Sequence, residues 1–333
     1  MTTTTSPKAF SPNFTGLSKR AALRPELASI GFLVVLVAAF SATTSGFLSF
    51  DNLGNIIEQV SIIGILALGL NMVILSDEID ISVGSNLAIT ASVTAMVAVG
   101  TNGNLLLTVL TAVAVASAIG AFNGVLVVKA RIPSIIVTLA MLTILRGANN
   151  MINPTGVPAI PADVRVFGQG KLLGLSTSAW VFIALAIISA LVARHTVWGR
   201  DIPAVGGNTA AARFIGLPVS RVRFIAFVVG GVCVGIGSIV YLGQIGAVQP
   251  AAGTGLELQV IAAVVVGGTS ISGGRGSVLA AVVGAVLMGT ILNGANLLGL
   301  QERWQSVFVG AVILLAIGTD FARRRMLERL VLK

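Results

Sequence analysis

Few side chains in this sequence could carry out covalent chemistry. Among 333 residues there is one histidine, His195, and one cysteine, Cys233. His195 stands beside Arg194 at the edge of an apolar run, with no serine partner or ligand set in view. A lone edge histidine reads as a solvated or lipid-facing residue. Only 12 residues are acidic, yet Asp77, Glu78 and Asp80 crowd into "SDEIDISVGS" at 76–85. They precede 48 residues without a charge, Ile81 to Val128. A carboxylate at such a junction can accept from the free N–H groups of a helix's first turn and favours the helix dipole. That is the first reading of Asp80, ahead of a helix expected from Ile81; the alternative makes it a charged gate or ligand group. Asp77 and Glu78 are not needed for one cap. They could pair with basic residues or sit at the mouth of a passage.

The remaining candidates bind rather than react. Ser82, Ser85 and Asn86, with Asn71, Thr138 and Asn149, are neutral hydrogen-bonding groups inside apolar runs. A sugar needs donors and acceptors rather than net charge, so such groups suit a polyol. Each could equally bond to a neighbouring helix. Arg146, near the end of an apolar helix, could anchor a gate, dock another protein, or snorkel to the interface. Gln249 and Glu257 flank the turn "PAAGTG" and carry the same two readings. Gly273, Gly274 and Gly276 surround Arg275 and suit a tight turn rather than a phosphate cradle. The nearest approach to a P-loop, "GQGKL" at 168–172, lacks the first glycine and the Ser/Thr after Lys171. No cofactor or metal is expected on this chain.

The elements that must hold these residues are set by composition. The chain is 55% hydrophobic and 10% charged, with mean hydropathy +0.98, where soluble domains carry about 25% charge. Several charge-free runs reach the roughly 20 residues that span a hydrocarbon layer. An all-α polytopic membrane protein of about ten helices follows, over 27–49, 56–76, 81–100, 105–128, 132–151, 176–194, 224–242, 257–271, 276–298 and 304–321. The first run is expected to stay as a crossing rather than be cleaved. Residues 1–26 read as a disordered cytoplasmic tail, 27–321 as the membrane domain, and 322–333 as a basic cytoplasmic tail. With both termini inside, 17 of the 21 Lys and Arg fall on the cytoplasmic side. The net charge of +9 thus reports membrane orientation, and no nucleic-acid partner is expected. A shift of 170 residues lays Asn123-Gly124 on Asn293-Gly294, a possible inverted repeat of the kind transporters use. The near absence of charge inside the helices weakens an ion-coupled, stand-alone carrier, which stays as the alternative.

The longest polar stretch at the cytoplasmic face is 195–223. Within it "NTAAARFIGL" has a short helical core at 209–215, with Asn208 or Thr209 to cap it and Gly216 and Pro218 to stop it. Such a helix could dock another protein, or simply connect two crossings. Here "GRDIPAVGGNTAAARFIGLPVSRVRF" resembles the coupling segment of permease subunits in bacterial ABC importers for ribose, xylose, galactose and related ligands. "LQVIAAVVVGGTSISGGRGSVLAAVVGA", "QPAAGTGLEL", "KARIPSIIVTLAMLTILRG", "NGANLLGL" and the Ile79-to-Ser85 motif resemble the same family, in order, over about 27–321. The resemblance implies the ten-helix type of importer fold and a bacterial inner-membrane location. It implies a second permease chain, identical or related. It also implies a cytoplasmic ATPase subunit that binds ATP and Mg, and an extracytoplasmic solute-binding protein. It assigns Asn208, Ala211, Arg213, Gly216, Leu217 and Pro218 to ATPase coupling. Asp77 and Glu78 depart from the small residues this family commonly has before Ile-Asp.

Overall fold

The computed structural model describes residues 25–157 and 159–301, with positions 304, 307, 308, 310, 311, 314 and 318 beyond them. The expected tails, apart from residues 25 and 26, lie outside the described residues, as does most of the expected helix over 304–321. The chain folds into helices α1 (Pro25–Thr43), α2 (Phe50–Leu75), α3 (Val83–Gly100), α4 (Leu105–Val128), α5 (Ser134–Ile152) and α6 (Ala162–Gln169). A two-strand ladder, β1 (Lys171–Leu172) with β2 (Leu175–Ser176), leads to α7 (Thr177–His195), α8 (Val197–Gly207) and α9 (Thr209–Phe214). Then come α10 (Val219–Ile245), α11 (Leu256–Val266) and α12 (Val278–Leu297).

Side-chain caps punctuate this order. Ser49, Asn104, Ser176 and Ser277 each accept the N–H three residues on, so one free donor of α2, α4, α7 and α12 is satisfied at each start. The Ser49 cap explains why α2 begins at Phe50 rather than 56. At the other extreme, α10 begins at Val219 rather than 224, which brings Arg221 and Arg223 into the helix. It stops where Gly246 takes a left-handed conformation, φ +69°. The helix expected at 257–271 is only 11 residues long. Helices α6 and α8 and the small ladder lie in segments expected to be loops.

Among the described residues seven helices, α2, α3, α4, α5, α7, α10 and α12, are long and apolar enough to cross a membrane, while the apolar stretches Leu27–Thr43 and Leu256–Val266 are shorter. This is an all-α polytopic membrane protein. Helices α2 and α10 pack against each other at its centre; α4 lies on α10 and α12 on α2. Helix α3 touches both α4 and α10, and α11 touches both α12 and α2. The α4–α10 seam is built on small residues. Ala112, Ala116, Gly120 and Gly124 face Phe227, Gly231 and Gly235, and a Cβ on Gly231 would lie 2.5 Å from the Ala116 carbonyl oxygen. Without a hydrophobic drive between helices in lipid, this close backbone approach supplies the packing.

Hydrogen bonds sort the loops into two ends. Ile79 N–H donates to Ser134 Oγ and Gly274 N–H to the Leu75 carbonyl, while Arg223 reaches both Ser76 and Thr209. The connections at 76–82, 129–133, 208–218 and 267–277 therefore share one end. Val157 pairs with Val248, and Asn153 donates to the Val248 carbonyl. These tie the 153–176 and 246–255 connections together at the other end.

Candidate functional site

The acidic stretch is a sharp turn between α2 and α3. Asp77 takes a left-handed φ of +67°, which a short polar side chain tolerates better than most. Ser82 N–H donates to Asp80 Oδ1 at 2.8 Å and Ser82 Oγ–H donates to the same oxygen at 2.6 Å. Asn123 Nδ2 on α4 donates to Ser82 Oγ at 3.0 Å. Helix α3 thus starts at Val83, not Ile81, and Ser82 holds the N-cap position. Asp80 fastens the turn that precedes the helix instead of accepting from the helix's own first-turn donors. Burial pushes the Asp80 carboxyl above its ordinary value, opposed by its bonds from Ser82 and Asn123.

Both other acids are answered by one cation. Arg223 Nη1 lies 2.8 Å from Glu78 Oε1, and its Nη2 lies 3.3 Å from Asp77 Oδ2. Burial raises the Glu78 carboxyl most, against the Ser134 hydroxyl and Arg223. Burial likewise raises Asp77, against Arg223.

Along α3 the small polar groups are buried and mostly engaged. Ser85 Oγ–H donates to the Ser82 carbonyl at 2.9 Å, and Asn86 Nδ2 to the Ala116 carbonyl of α4 at 3.3 Å. Further along, Ser92 Oγ–H donates to Asn149 Oδ1 at 2.7 Å, and Asn149 Nδ2 to the Pro250 carbonyl at 3.0 Å. Thr138 Oγ lies 3.2 Å from the Ile79 carbonyl and 2.8 Å from that of Ser134. Asn71 is remote from this set: its amide donates to the Ser277 carbonyl at 3.3 Å and accepts from Thr269 Oγ at 2.7 Å. Gln249 is exposed in the 246–255 connection.

Arg146 and Glu257 meet inside the bundle. Arg146 Nη2 lies 3.3 Å from Glu257 Oε1, with side chains 32% and 8% exposed. The second oxygen, Glu257 Oε2, is buried without a hydrogen-bond partner. It sits against Gly84 of α3, where any Cβ would collide with it. Local sequence leaves Arg146 unpaired; a residue 111 positions later neutralises it.

At the other functional segment, Asn208 Oδ1 accepts from Ala211 N–H at 2.9 Å and so caps α9. Gly216 is left-handed at φ +83°, and Leu217 N–H returns to the Ala212 carbonyl at 2.9 Å, closing the helix. Helix α9 ends at Phe214, one residue short of the expected 215. Asn208, Ala211, Arg213, Gly216 and Pro218 are exposed and Leu217 is half-buried. Phe214 is 94% and Ile215 72% exposed.

The sequence offered Thr209 only as a possible cap and did not single out Ser134 or Asn153; no local spacing links these residues, or Arg223, to their partners. A buried reciprocal amide pair, Asn52 with Asn293 at 2.8 and 3.0 Å, was equally hidden. Among the described residues, no group of three or more His, Cys, Asp or Glu could hold a metal ion.

The family model for the permease component of branched-chain amino acid transport systems matches residues 52–317. The ribose import permease protein RbsC of Escherichia coli (strain K12) is 40% identical, covering 89% of this chain and 93% of its own. The autoinducer 2 import system permease protein LsrC of Enterobacter sp. (strain 638) is 36% identical, covering 91% and 89%. The xylose transport system permease protein XylH of Escherichia coli (strain K12) is 32% identical, covering 89% and 91%. No solved structure matches.

Proposed function

This chain belongs to the family of transport-system permease components, and on that premise we propose that it is the membrane-spanning subunit of an ATP-binding-cassette importer. It carries a sugar or related small polar ligand into the cytoplasm, driven by ATP hydrolysis on separate subunits. The observation that carries this reading is the agreement of ribose, autoinducer 2 and xylose permeases over 89–91% of the chain. Its partners are a second permease chain, identical or related, a cytoplasmic subunit binding ATP and Mg, and an extracytoplasmic solute-binding protein. The exposed Phe214 and Ile215 on the capped helix α9 support docking to the ATPase at Asn208–Pro218. Two large apolar side chains held in water gain by being covered.

The bacterial inner membrane is the location, with ten crossings and both termini cytoplasmic. Lys129, Arg131, Arg213, Arg221, Arg223 and Arg275 gather at the end that carries α9, which supports that orientation. The inverted repeat is also supported. Adding 170 to Phe50–Leu75, Val83–Gly100 and Leu105–Val128 gives 220–245, 253–270 and 275–298, on α10, α11 and α12. Exchanging α2 with α10, α3 with α11 and α4 with α12 also maps the packing pairs onto one another. Among the pathway candidates, Arg146, Glu257 and Gln249 keep unspent hydrogen-bonding capacity or exposure. They are the ones we assign to the passage; Ser82, Asn86, Asn71, Thr138 and Asn149 are bonded to other elements, and Asp80 and Ser85 are bonded to Ser82.

The test is uptake of radiolabelled ribose by cells that lack their own ribose uptake and express this chain with its solute-binding protein. Uptake is expected only when the ATP-binding subunit is also present. Uptake by the chain without that subunit, following an ion gradient, would overturn the reading in favour of a stand-alone carrier.

A further inference from the structure

Arg223 sits where three parts of the chain meet. Its Nε donates to the Ser76 carbonyl at 3.2 Å and its Nη2 to Thr209 Oγ at 3.0 Å. The same guanidinium bridges Glu78 at 2.8 Å and Asp77 at 3.3 Å, and the Arg223 side chain is 17% exposed. Thr209 is the first residue of α9, and its hydroxyl also donates to the Val205 carbonyl of α8 at 3.0 Å. On the far side of the node, residues 76–80 are not loose. Gly274 N–H holds Leu75, Ser134 holds Ile79, and Ser82 holds Asp80. The 76–82 turn is thereby fastened to α5 through Ser134 and to α4 through Ser82 and Asn123.

We propose that Arg223 is a positioning residue that relays movement of α9 to the 76–82 turn, and so to α3 and α5. The inference rests on the permease reading, in which a partner loads α9 from outside. Guanidinium is planar, and its five donors point in fixed directions. A displacement of Thr209 therefore cannot be absorbed by rotation of one bond. It must either carry Ser76, Asp77 and Glu78 along or break charge-assisted hydrogen bonds in a mostly desolvated setting. Those strong contacts make breaking the costlier path, so the turn follows the helix. The turn ends at the head of α3, whose Gly84 abuts Glu257 of the Arg146–Glu257 pair. The route thus runs from the exposed docking helix to the charged pair within the bundle through contacts that are all in place. Lysine would supply the charge but not the fork, so the relay distinguishes geometry from electrostatics.

The experiment reconstitutes the full chain in liposomes with the ATP-binding and solute-binding subunits that co-purify with it. Ribose uptake and ATP hydrolysis are measured together. Three variants cut the node differently: Thr209→Val removes the tie to α9, Glu78→Gln removes the strongest ion pair, and Arg223→Lys removes the fork. Each is expected to insert and bind the ATP-binding subunit, while ribose carried per ATP hydrolysed falls about tenfold. Thr209→Ser, which keeps the hydroxyl, is expected to retain the wild-type ratio. A wild-type ratio in Thr209→Val or Glu78→Gln overturns the relay and leaves the permease reading intact. Failure of all three cutting variants to insert or assemble overturns it too, since the node would then be only structural. Wild-type chain that takes up ribose without the ATP-binding subunit rejects the proposed function, and the relay falls with it.

Discussion

At Asp80 the quantity that matters is an acceptor oxygen. Its Oδ1 takes both the N–H and the hydroxyl of Ser82. Asp80→Asn retains an acceptor at that position, whereas Asp80→Ala leaves two buried donors without a partner. Alanine should therefore cost about 2 kcal/mol, the scale of unsatisfied buried groups, and asparagine much less. Thermal unfolding of detergent-purified protein checks the order; an equal, large loss in both variants would mean that the charge itself is needed. The same site sets a pH dependence. Burial raises the folded-state pKa of Asp80, so the native chain holds a proton that the unfolded chain has already released. Stability then falls as pH rises through the window from the ordinary carboxylate value up to the raised one. Asp80→Asn should flatten that fall, read as unfolding temperature against pH. The opening cluster of acids is thereby divided: Asp80 fixes a turn, while Asp77 and Glu78 answer Arg223. Sequence suggested pairing with basic residues for the latter two but could not choose the partner, which lies 145 or more positions away.

Between elements, close approach is decided by what is missing from a side chain. Helices α4 and α10 meet where Gly120 and Gly231 lie against opposing carbonyls, and a Cβ on Gly235 would come within 2.7 Å of the Ala112 oxygen. Gly231→Leu should lower stability by about 3 kcal/mol or more, the upper range of overpacking, because backbone rather than a movable side chain blocks the space. Gly31→Ala is the control. Nothing lies within 4 Å of its would-be Cβ, and helix propensity alone favours alanine by about 1 kcal/mol. Unfolding temperature and the monodisperse fraction in detergent report both; an unaffected Gly231→Leu protein would contradict the packing. The 39 glycines of the sequence suit tight helix packing in lipid. Which glycine meets which carbonyl was not legible there, since a helix sequence carries no information on its partner's axial position. The helix α9 is the opposite case. Its cap Asn208, its run of alanines and its stop at Gly216 are all local, and the sequence located it to within one residue. Helix α8 was not expected in the polar stretch 195–223, yet Thr196 caps it and Trp198 Nε1–H donates to the Val222 carbonyl.

For the molecule as a whole, the separation of its two ends makes the proposed orientation testable. Leu173, 84% exposed, stands at the end that holds the small ladder, and Phe214 at the end that holds α9. The native cysteine, Cys233, is buried, so single cysteines introduced at these positions can be read without interference. In intact cells Leu173→Cys should react with a membrane-impermeant maleimide, and Phe214→Cys only after permeabilisation. Labelling of Phe214→Cys from outside would invert the topology and remove α9 from any cytoplasmic partner.

Sequence by itself determined the class of this protein, because burying an apolar helix in lipid depends on length and composition within one segment. It likewise located the cap and stop of α9, Asn208 and Gly216, whose partners lie within four residues. The family was also legible, carried by several motifs in order. Tertiary structure alone decided the polar interior. The Arg146–Glu257 pair, the Asn71–Thr269 bond and the Arg223 node join residues 111, 198 and 147 positions apart. In a low-dielectric interior a charge or amide must find a partner, but that requirement names no residue. Only the packing of α2, α3, α5, α10 and α11 brings the partners within reach.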